Sequence, residues 1–256
     1  MLTLSELYAF FESKLPRTLS CDWDNDGMMC CADPAKQVHR ALVVLDVTDE
    51  IIDAAVTGGY DLILSHHPMI FRGLRSVEPS SLAAARTIKL IRAGVSVFSF
   101  HTRLDAAEGG VNDALAAALG LTDVVPFGSG GQAIGRIGLL STPMLAQDFA
   151  KHVKETLGSP YACLADAHRP AHRVAVLGGS GKDELQAACE AGADTYVSGE
   201  LGHHPMTDAP DMGINLIEAG HFYTERTVLP VLQAMLAEAD PTIESEVLSD
   251  CRIQVI

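Results

Sequence analysis

The chain has 256 residues, of which 48% are hydrophobic and 20% are charged, values typical of one large or two modest globular domains. Its formal net charge is −15, and a surface this acidic repels phosphate backbones, so nucleic acid is not expected as a main partner. No apolar run approaches the ~18 residues of a membrane-spanning helix, and no membrane partner is expected.

The first predicted helix lies at the N-terminus. Leu4, Leu7, Phe10 and Phe11 are spaced so that they share one helical face. The segment is acidic and lacks the basic start and small-residue cleavage site of a signal peptide. The six cysteines show neither a CxxC motif nor zinc-ribbon spacing, which favours scattered thiols in a reducing compartment. We therefore expect a cytoplasmic protein.

After a loop at 20–30, the sequence predicts alternating strands and helices up to residue 121. Short apolar runs predict the strands, and runs with helical spacing that end at glycine predict the helices. The predicted strands are 41–45, 61–65 and 95–100, and the predicted helices are 48–58, 81–92 and a short one within 106–121 that ends at Gly120.

The second half repeats this alternation after a weaker stretch. The signal is weak over 122–172, where residues 122–140 indicate short strands and turns and residues 142–158 indicate a helix. Beyond them, the predicted strands are 173–177, 195–199 and 214–219, and the predicted helices are 185–191 and 228–239.

The two halves share one order of elements. Residues 41–69 and 173–206 both read strand, turn, helix, glycine, strand and then His-His-Pro-Met. This order indicates a duplicated β-α-β unit and an α/β fold with largely parallel strands. We predict two similar β-α-β lobes in one compact unit around a metal cleft: an N-terminal lobe at 1–121 and a C-terminal lobe at 122–256, whose chain segments could also pack discontinuously.

Histidines and carboxylates follow almost every predicted strand. In α/β sheets, ligands bind beyond the carboxyl ends of the strands. A single histidine there is usually structural, but several such groups at converging strand ends favour a metal site. The residues at these ends are Asp46, His66, His67, His101, Asp105, Glu200, His221 and Glu225.

These residue types indicate the metal. Imidazole and carboxylate ligands without thiolate suit Zn²⁺, Fe²⁺ or Mn²⁺. Successive side chains of an extended backbone point to opposite faces, so the adjacent His66 and His67 would serve two ions rather than one. Asp105 and Glu225 are the candidate bridging carboxylates. The sequence therefore predicts two divalent metal ions per chain.

Other residues leave alternatives open. The second His-His-Pro copy, at His203 and His204, stands three residues beyond Glu200, so it either joins the cleft or has a surface or supporting role. Trp23 is interpreted as a packing residue beside a turn. Asn25 and Asp26 could line the cleft or simply belong to the loop.

The glycine-rich segment 178–183 suggests a phosphate-binding loop. Val176 stands where the leading glycine of that motif should be, and Asp183 replaces the serine or threonine that holds magnesium. A tight strand-to-helix turn is the better interpretation.

Six segments together resemble the NIF-three-like family, whose members are also called dinuclear metal-centre hexameric proteins or GTP cyclohydrolase I type 2 homologues. The resemblance spans nearly the whole chain, and the combination of HHP, HTxLD and GHxxTE is its specific part. The segments are WDNDG (23–27), SHHP (65–68), HTRLDAAEGGVNDALA (101–116), GGSG (178–181), SGE (198–200) and GHFYTE (220–225).

The resemblance implies a two-lobed α/β protein that assembles into a toroidal homohexamer with a pair of divalent metals. His101 matches the histidine of the HTxLD motif and would be a supporting or acid–base group. The implied metal ligands are His66, His67, Asp105, His221 and Glu225, with Glu225 as the bridge.

Our leading functional hypothesis is a metal-dependent hydrolase acting on a small molecule, such as a nucleotide or phosphoester. His101 or Glu200 would transfer the proton. Opening of a purine imidazole ring rests on the family label alone. The alternatives are a non-catalytic metal-binding, metal-delivery or interaction protein, and a structural domain with incidental histidines.

Overall fold

A computed structural model of the protein describes residues 1–131 and 133–256. The chain forms two compact units: Met1–Leu104 with Leu229–Asp250, and Asp105–Val228 with Cys251–Ile256. Each unit combines one sheet with helices, so the predicted α/β class is confirmed. Across the described residues, no helix combines the length and apolarity needed to cross a membrane.

The first unit has a five-stranded sheet in the order β1-β4-β3-β2-β11. The strands are β1 (Gly27–Cys30), β2 (Arg40–Val44), β3 (Leu62–Ser65), β4 (Ser96–Ser99) and β11 (Glu244–Val247). All neighbours pair in parallel except β1, which runs antiparallel to β4. β3 and β4 are buried along their whole length, as expected for the apolar runs of a covered parallel sheet.

Five helices accompany this sheet: α1 (Leu4–Lys14), α2 (Asp49–Thr57), α3 (Leu82–Ala93), α4 (Thr102–Ala106), which crosses into the second unit, and α10 (Leu229–Ala239). α1 begins with a capping box in which Thr3 and Glu6 satisfy each other's backbone N–H groups. Its buried residues are Leu4, Leu7 and Phe11, while Phe10 remains partly exposed.

The second unit has a six-stranded sheet in the order β5-β6-β8-β9-β10-β7. The strands are β5 (Thr122–Phe127), β6 (Gly135–Met144), β7 (Cys163–Ala165), β8 (Ala171–Ser180), β9 (Thr195–Glu200) and β10 (Asn215–Glu218). Its helices are α5 (Val111–Ala118), α6 (Ala146–Leu157), α7 (Leu185–Glu190), α8 (His203–Asp208) and α9 (His221–Glu225). β8, β9 and β10 are parallel, and the remaining strands pair antiparallel.

The duplicated β-α-β unit is present in both sheets. β2 and β3 pair in parallel across α2, and β8 and β9 pair in parallel across α7. The copies diverge after the second strand. The first His-His-Pro is a loop directly after β3, whereas the second opens the helix α8.

The division between the units differs from the predicted boundary at residue 121. The first unit ends at Leu104, and residues Leu229–Asp250 return to it. α10 packs on β2 and β11, and β11 pairs in parallel with β2. The sequence predicted α10 as the last element, because the polar strand Glu244–Val247 carries little apolar signal.

Candidate metal centre

Three histidines converge at the carboxyl ends of β3 and β4. His66 and His67 follow β3 and His101 follows β4, and these strands are parallel neighbours. Each histidine offers one ligating nitrogen, and these atoms lie within 4.8 Å of one another. The ring centroids are 4.8, 5.2 and 5.6 Å apart. Such a group of imidazoles is suited to a divalent transition metal.

The Nδ1 atoms of His66 and His67 have acceptors nearby. The Nδ1 of buried His66 lies 3.0 Å from the Phe100 carbonyl oxygen, and the Nδ1 of His67 lies 2.9 Å from an oxygen of Asp46. A carbonyl or carboxylate acceptor favours the proton on Nδ1, which makes Nε2 the ligating nitrogen. Asp46, singled out at a strand end in the sequence, therefore orients His67.

His101 is oriented by Asp24, a residue that the sequence analysis missed. Its Nδ1 lies 3.0 Å from both carboxylate oxygens of Asp24, which also accepts from the Thr102 backbone N–H at 3.0 Å and from its hydroxyl at 2.7 Å. Burial raises the pKa of Asp24, but the hydrogen bonds from His101 and Thr102 outweigh it and bring the pKa to about 2. Asp24 therefore remains a carboxylate that fixes the His101 ring.

The neighbours of Asp24 hold the loop in place. Asp26 is buried and accepts hydrogen bonds from the Arg103 guanidinium at 2.8 and 3.0 Å. Asn25 donates its side-chain amide to the Ile70 carbonyl. The loop of residues 22–26 is thus attached both to α4 and to the loop after His67.

The second unit has a histidine–glutamate pair of its own on α9. The Nε2 of His221 lies 3.2 Å from Oε2 of Glu225, one helical turn later, and Glu225 is only 3% exposed. The Nδ1 of His221 lies 3.4 Å from Oε2 of Glu200 at the end of β9. Glu200, predicted as a proton-transfer group, thus occupies the position of a residue that orients an imidazole.

Asp105 lies in α4, which follows His101 directly, and its side chain is half-buried. The fully buried Asn112 donates to the Asp105 carbonyl at 3.2 Å and accepts from the Gly178 backbone N–H at 2.8 Å. Asn112 therefore links the backbone at Asp105 to the backbone at Gly178, which packs on Glu225. Its position inside the 101–116 motif was the one signal for it in the sequence.

The glycine-rich end of β8, at Gly178 and Gly179, brings backbone against the α9 pair, so the predicted turn begins later, after Ser180. A Cβ added at Gly179 would lie 2.2 Å from Oε1 of Glu225 and 3.1 Å from Nε2 of His221, and the φ of Gly179 is +67°. The Gly179 backbone N–H donates to the Thr224 hydroxyl at 3.1 Å. This end of β8 therefore packs against candidate metal ligands, which explains its glycines without a phosphate-binding role.

We expect Gly179→Ala to weaken metal binding by about 10–100-fold, the loss typical of displaced ligands, because its methyl group would push Glu225 and His221 aside. Metal titration of the purified variant measures this. Gly120→Ala is the matched control: Gly120 has φ +74° and nothing within 4 Å of an added Cβ, so it isolates the backbone strain. Equal metal affinity in the two variants would contradict the close packing at Gly179.

The second His-His-Pro copy has different surroundings. His203 and His204 are the exposed first residues of α8, with ring centroids 5.5 Å apart. Neither belongs to a group of three or more potential metal ligands among residues 1–131 and 133–256. The two copies are therefore not structurally equivalent.

Comparisons with known proteins agree with one another. A model of the Duf34/NIF3 (NGG1p interacting factor 3) family matches residues 2–251. A Clostridium perfringens protein named GTP cyclohydrolase 1 type 2 homolog is 32% identical over 234 residues, covering 89% of this chain and 88% of that protein. The Protein NIF3 homolog of Schizosaccharomyces pombe is 31% identical over 242 residues, covering 88% and 85%. The crystal structure of a Bacillus cereus protein related to NIF3 superposes with a TM-score of 0.90 at 23% identity, over 100% of this chain and 99% of that one.

Proposed function

The chain belongs to the Duf34/NIF3 family, and from that premise we propose that it is a dinuclear divalent-metal protein that hydrolyses a small molecule. The observation that carries the proposal is the histidine cluster: the ligating nitrogens of His66 and His67 lie within 4.8 Å of each other and of a His101 ring nitrogen, so His101 stands beside two proposed ligands. The His221–Glu225 pair, whose carboxylate is buried, supports it. The proposed ligands are His66, His67, Asp105, His221 and Glu225.

The donor chemistry fits zinc, iron or manganese, because nitrogen and carboxylate ligands suit these ions. Bound ions would supply Lewis-acid polarisation and a water of lowered pKa. The chain's own residues would handle the proton. We propose that His101 accepts and returns it at Nε2, while the buried Asp24 carboxylate holds the Nδ1–H and stabilises the charged ring.

For the substrate class we propose a nucleotide, with hydrolytic opening of a purine ring as the first reaction to test. The support is the name of the clostridial relative, which refers to GTP cyclohydrolase. The net charge of −15 disfavours polyanions, whereas a single small phosphate ester can be accommodated next to metal cations. We further propose a cytoplasmic homohexamer, which sedimentation analysis of the purified protein would test.

The decisive experiment combines metal analysis with a substrate panel. The purified protein would be stripped with a chelator and reloaded separately with Zn²⁺, Mn²⁺ and Fe²⁺, and metal content would be measured by elemental analysis. We expect two ions per chain, together with hydrolysis of a nucleoside phosphate that stops on chelation. Fewer than one ion per chain, or no turnover with any metal and substrate, would overturn the proposal.

A second candidate function is metal delivery or protein interaction without catalysis. It is favoured by the description of the family model, which names an interacting factor. Rapid transfer of metal from the loaded protein to an apo acceptor, without turnover across the panel, would support this function instead.

A further inference from the structure

Two large aromatic side chains next to the histidine cluster, Trp23 and Phe71, are exposed to solvent. Trp23 is 63% exposed and Phe71 is 47% exposed. Their ring centroids are 6.1 Å apart, and the ring of His101 lies 6.1 Å from Trp23 and 6.3 Å from Phe71. The sequence interpretation of Trp23 as a packing residue is therefore wrong, because most of its surface remains exposed.

The three rings are steeply inclined to one another. The interplanar angles are 63° for Trp23 and Phe71, 74° for Trp23 and His101, and 81° for Phe71 and His101. Rings arranged in this way form three walls of an open corner, which we call the aromatic corner. A flat group that stacks on one wall presents its edge to the other two, which is a favourable aromatic geometry.

Hydrogen bonds fix the loops that carry these rings. The side-chain amide of Asn25, two residues after Trp23, donates to the carbonyl of Ile70, the residue before Phe71. This bond attaches the loop of Trp23 to the loop of Phe71. The neighbouring Asp24 holds His101 at 3.0 Å. The ring of His101, the third side of the corner, is thereby fixed to the same loop. Loops that are already attached to one another lower the ordering cost of binding a ligand at this corner.

We propose that Trp23 and Phe71 form a stacking site for the planar heteroaromatic ring of the substrate, next to His101. This inference rests on the proposed function, which supplies the nucleotide. Stacking of a base on an aromatic side chain is tolerant of sequence and substantial in magnitude. A protein partner is the weaker choice, because two rings cover little of the ~800 Å² that each partner of a stable complex buries.

The chain offers a direct probe, because Trp23 is its single tryptophan. Tryptophan fluorescence of the metal-free protein would be titrated with guanosine 5′-monophosphate, guanosine and ribose 5-phosphate. We expect quenching by the first two, which carry the ring, and none by ribose 5-phosphate. Phe71→Ala should weaken guanosine 5′-monophosphate binding roughly tenfold, and Phe71→Tyr should keep most of the affinity.

Phe10→Ala is the control, since Phe10 packs on Phe11 in α1 and does not belong to the corner. Unchanged affinity in Phe71→Ala, or equal quenching by ribose 5-phosphate, would overturn the inference. A change in sedimentation mass for Trp23→Leu would also overturn it, because the corner would then be a contact between copies. Ring-dependent quenching without metal binding or turnover would refute the proposed function and leave the stacking site intact.

Discussion

Replacing His101 by glutamine should lower kcat by about 10²–10⁴-fold, the range for loss of a general acid–base group, with two divalent ions still bound per chain. Glutamine keeps a similar size and can still donate to Asp24, but it cannot accept a proton at the position of Nε2. The Asp24 carboxylate is held by the Thr102 backbone N–H and hydroxyl on the Nδ1 side of the ring, away from the position of Nε2, and does not replace the missing base. The measurement is kcat together with metal content for each preparation.

Three further variants make this result interpretable. Glu225→Gln should lose metal and turnover together, because it removes a proposed ligand. Asp24→Asn should lower kcat by less than His101→Gln and shift its pH profile, since it alters the orientation and basicity of the ring. His203→Gln, in the other His-His-Pro copy, should leave kcat unchanged. Should His101→Gln lose an ion, His101 would be a ligand and the proposed proton transfer would be wrong.

Replacing Arg103 by methionine should cost about 3–5 kcal/mol in the free energy of unfolding, the range for removing one partner of a buried ion pair. Arg103 is fully buried and donates to Asp26 at 2.8 and 3.0 Å, to Glu12 at 2.6 Å and to the Leu15 carbonyl at 2.8 Å. Methionine fills much of the volume but leaves the Asp26 carboxylate buried without its cation. Urea unfolding of the metal-free protein measures the change.

A surface pair provides the control. Arg86 donates to Asp49 at 2.8 Å, but Asp49 is largely exposed, so Arg86→Met should cost no more than about 1 kcal/mol. Adding Asp26→Leu to Arg103→Met should restore part of the lost free energy of unfolding, because it removes the buried carboxylate that no longer has a cation. A cost below 1 kcal/mol for Arg103→Met alone would show that the buried network does not stabilise the fold.

The parts of the fold that the sequence predicts are those with a strong local signal. The apolar runs of β3, β4 and β9 could only be covered strands, and the glycines after α2, α3 and α6 mark helix ends. β1, β7 and β11 were missed. They are short edge strands of three or four residues, and partner strands rather than their own composition stabilise them.

The residues of the candidate site also fall into those that the sequence predicts and those that it does not. Histidines at strand ends can be predicted because the sheet topology alone brings them together. Asp24 and Asn112 could not, because their roles depend on partners 77 and 66 residues away along the chain. Both lie inside motifs that the sequence analysis quoted, but a motif does not state which of its polar residues turns inward.

The return of the chain to its first sheet sets an order of events during synthesis. On the ribosome, residues 105–228 are complete before β11 exists, so the second unit can fold while the first still lacks its outermost strand. Until residues 244–247 emerge, the edge of β2 has unpaired backbone N–H and C=O groups that can pair with an exposed strand of another chain. The nascent protein is therefore most vulnerable to aggregation at the half that was made first.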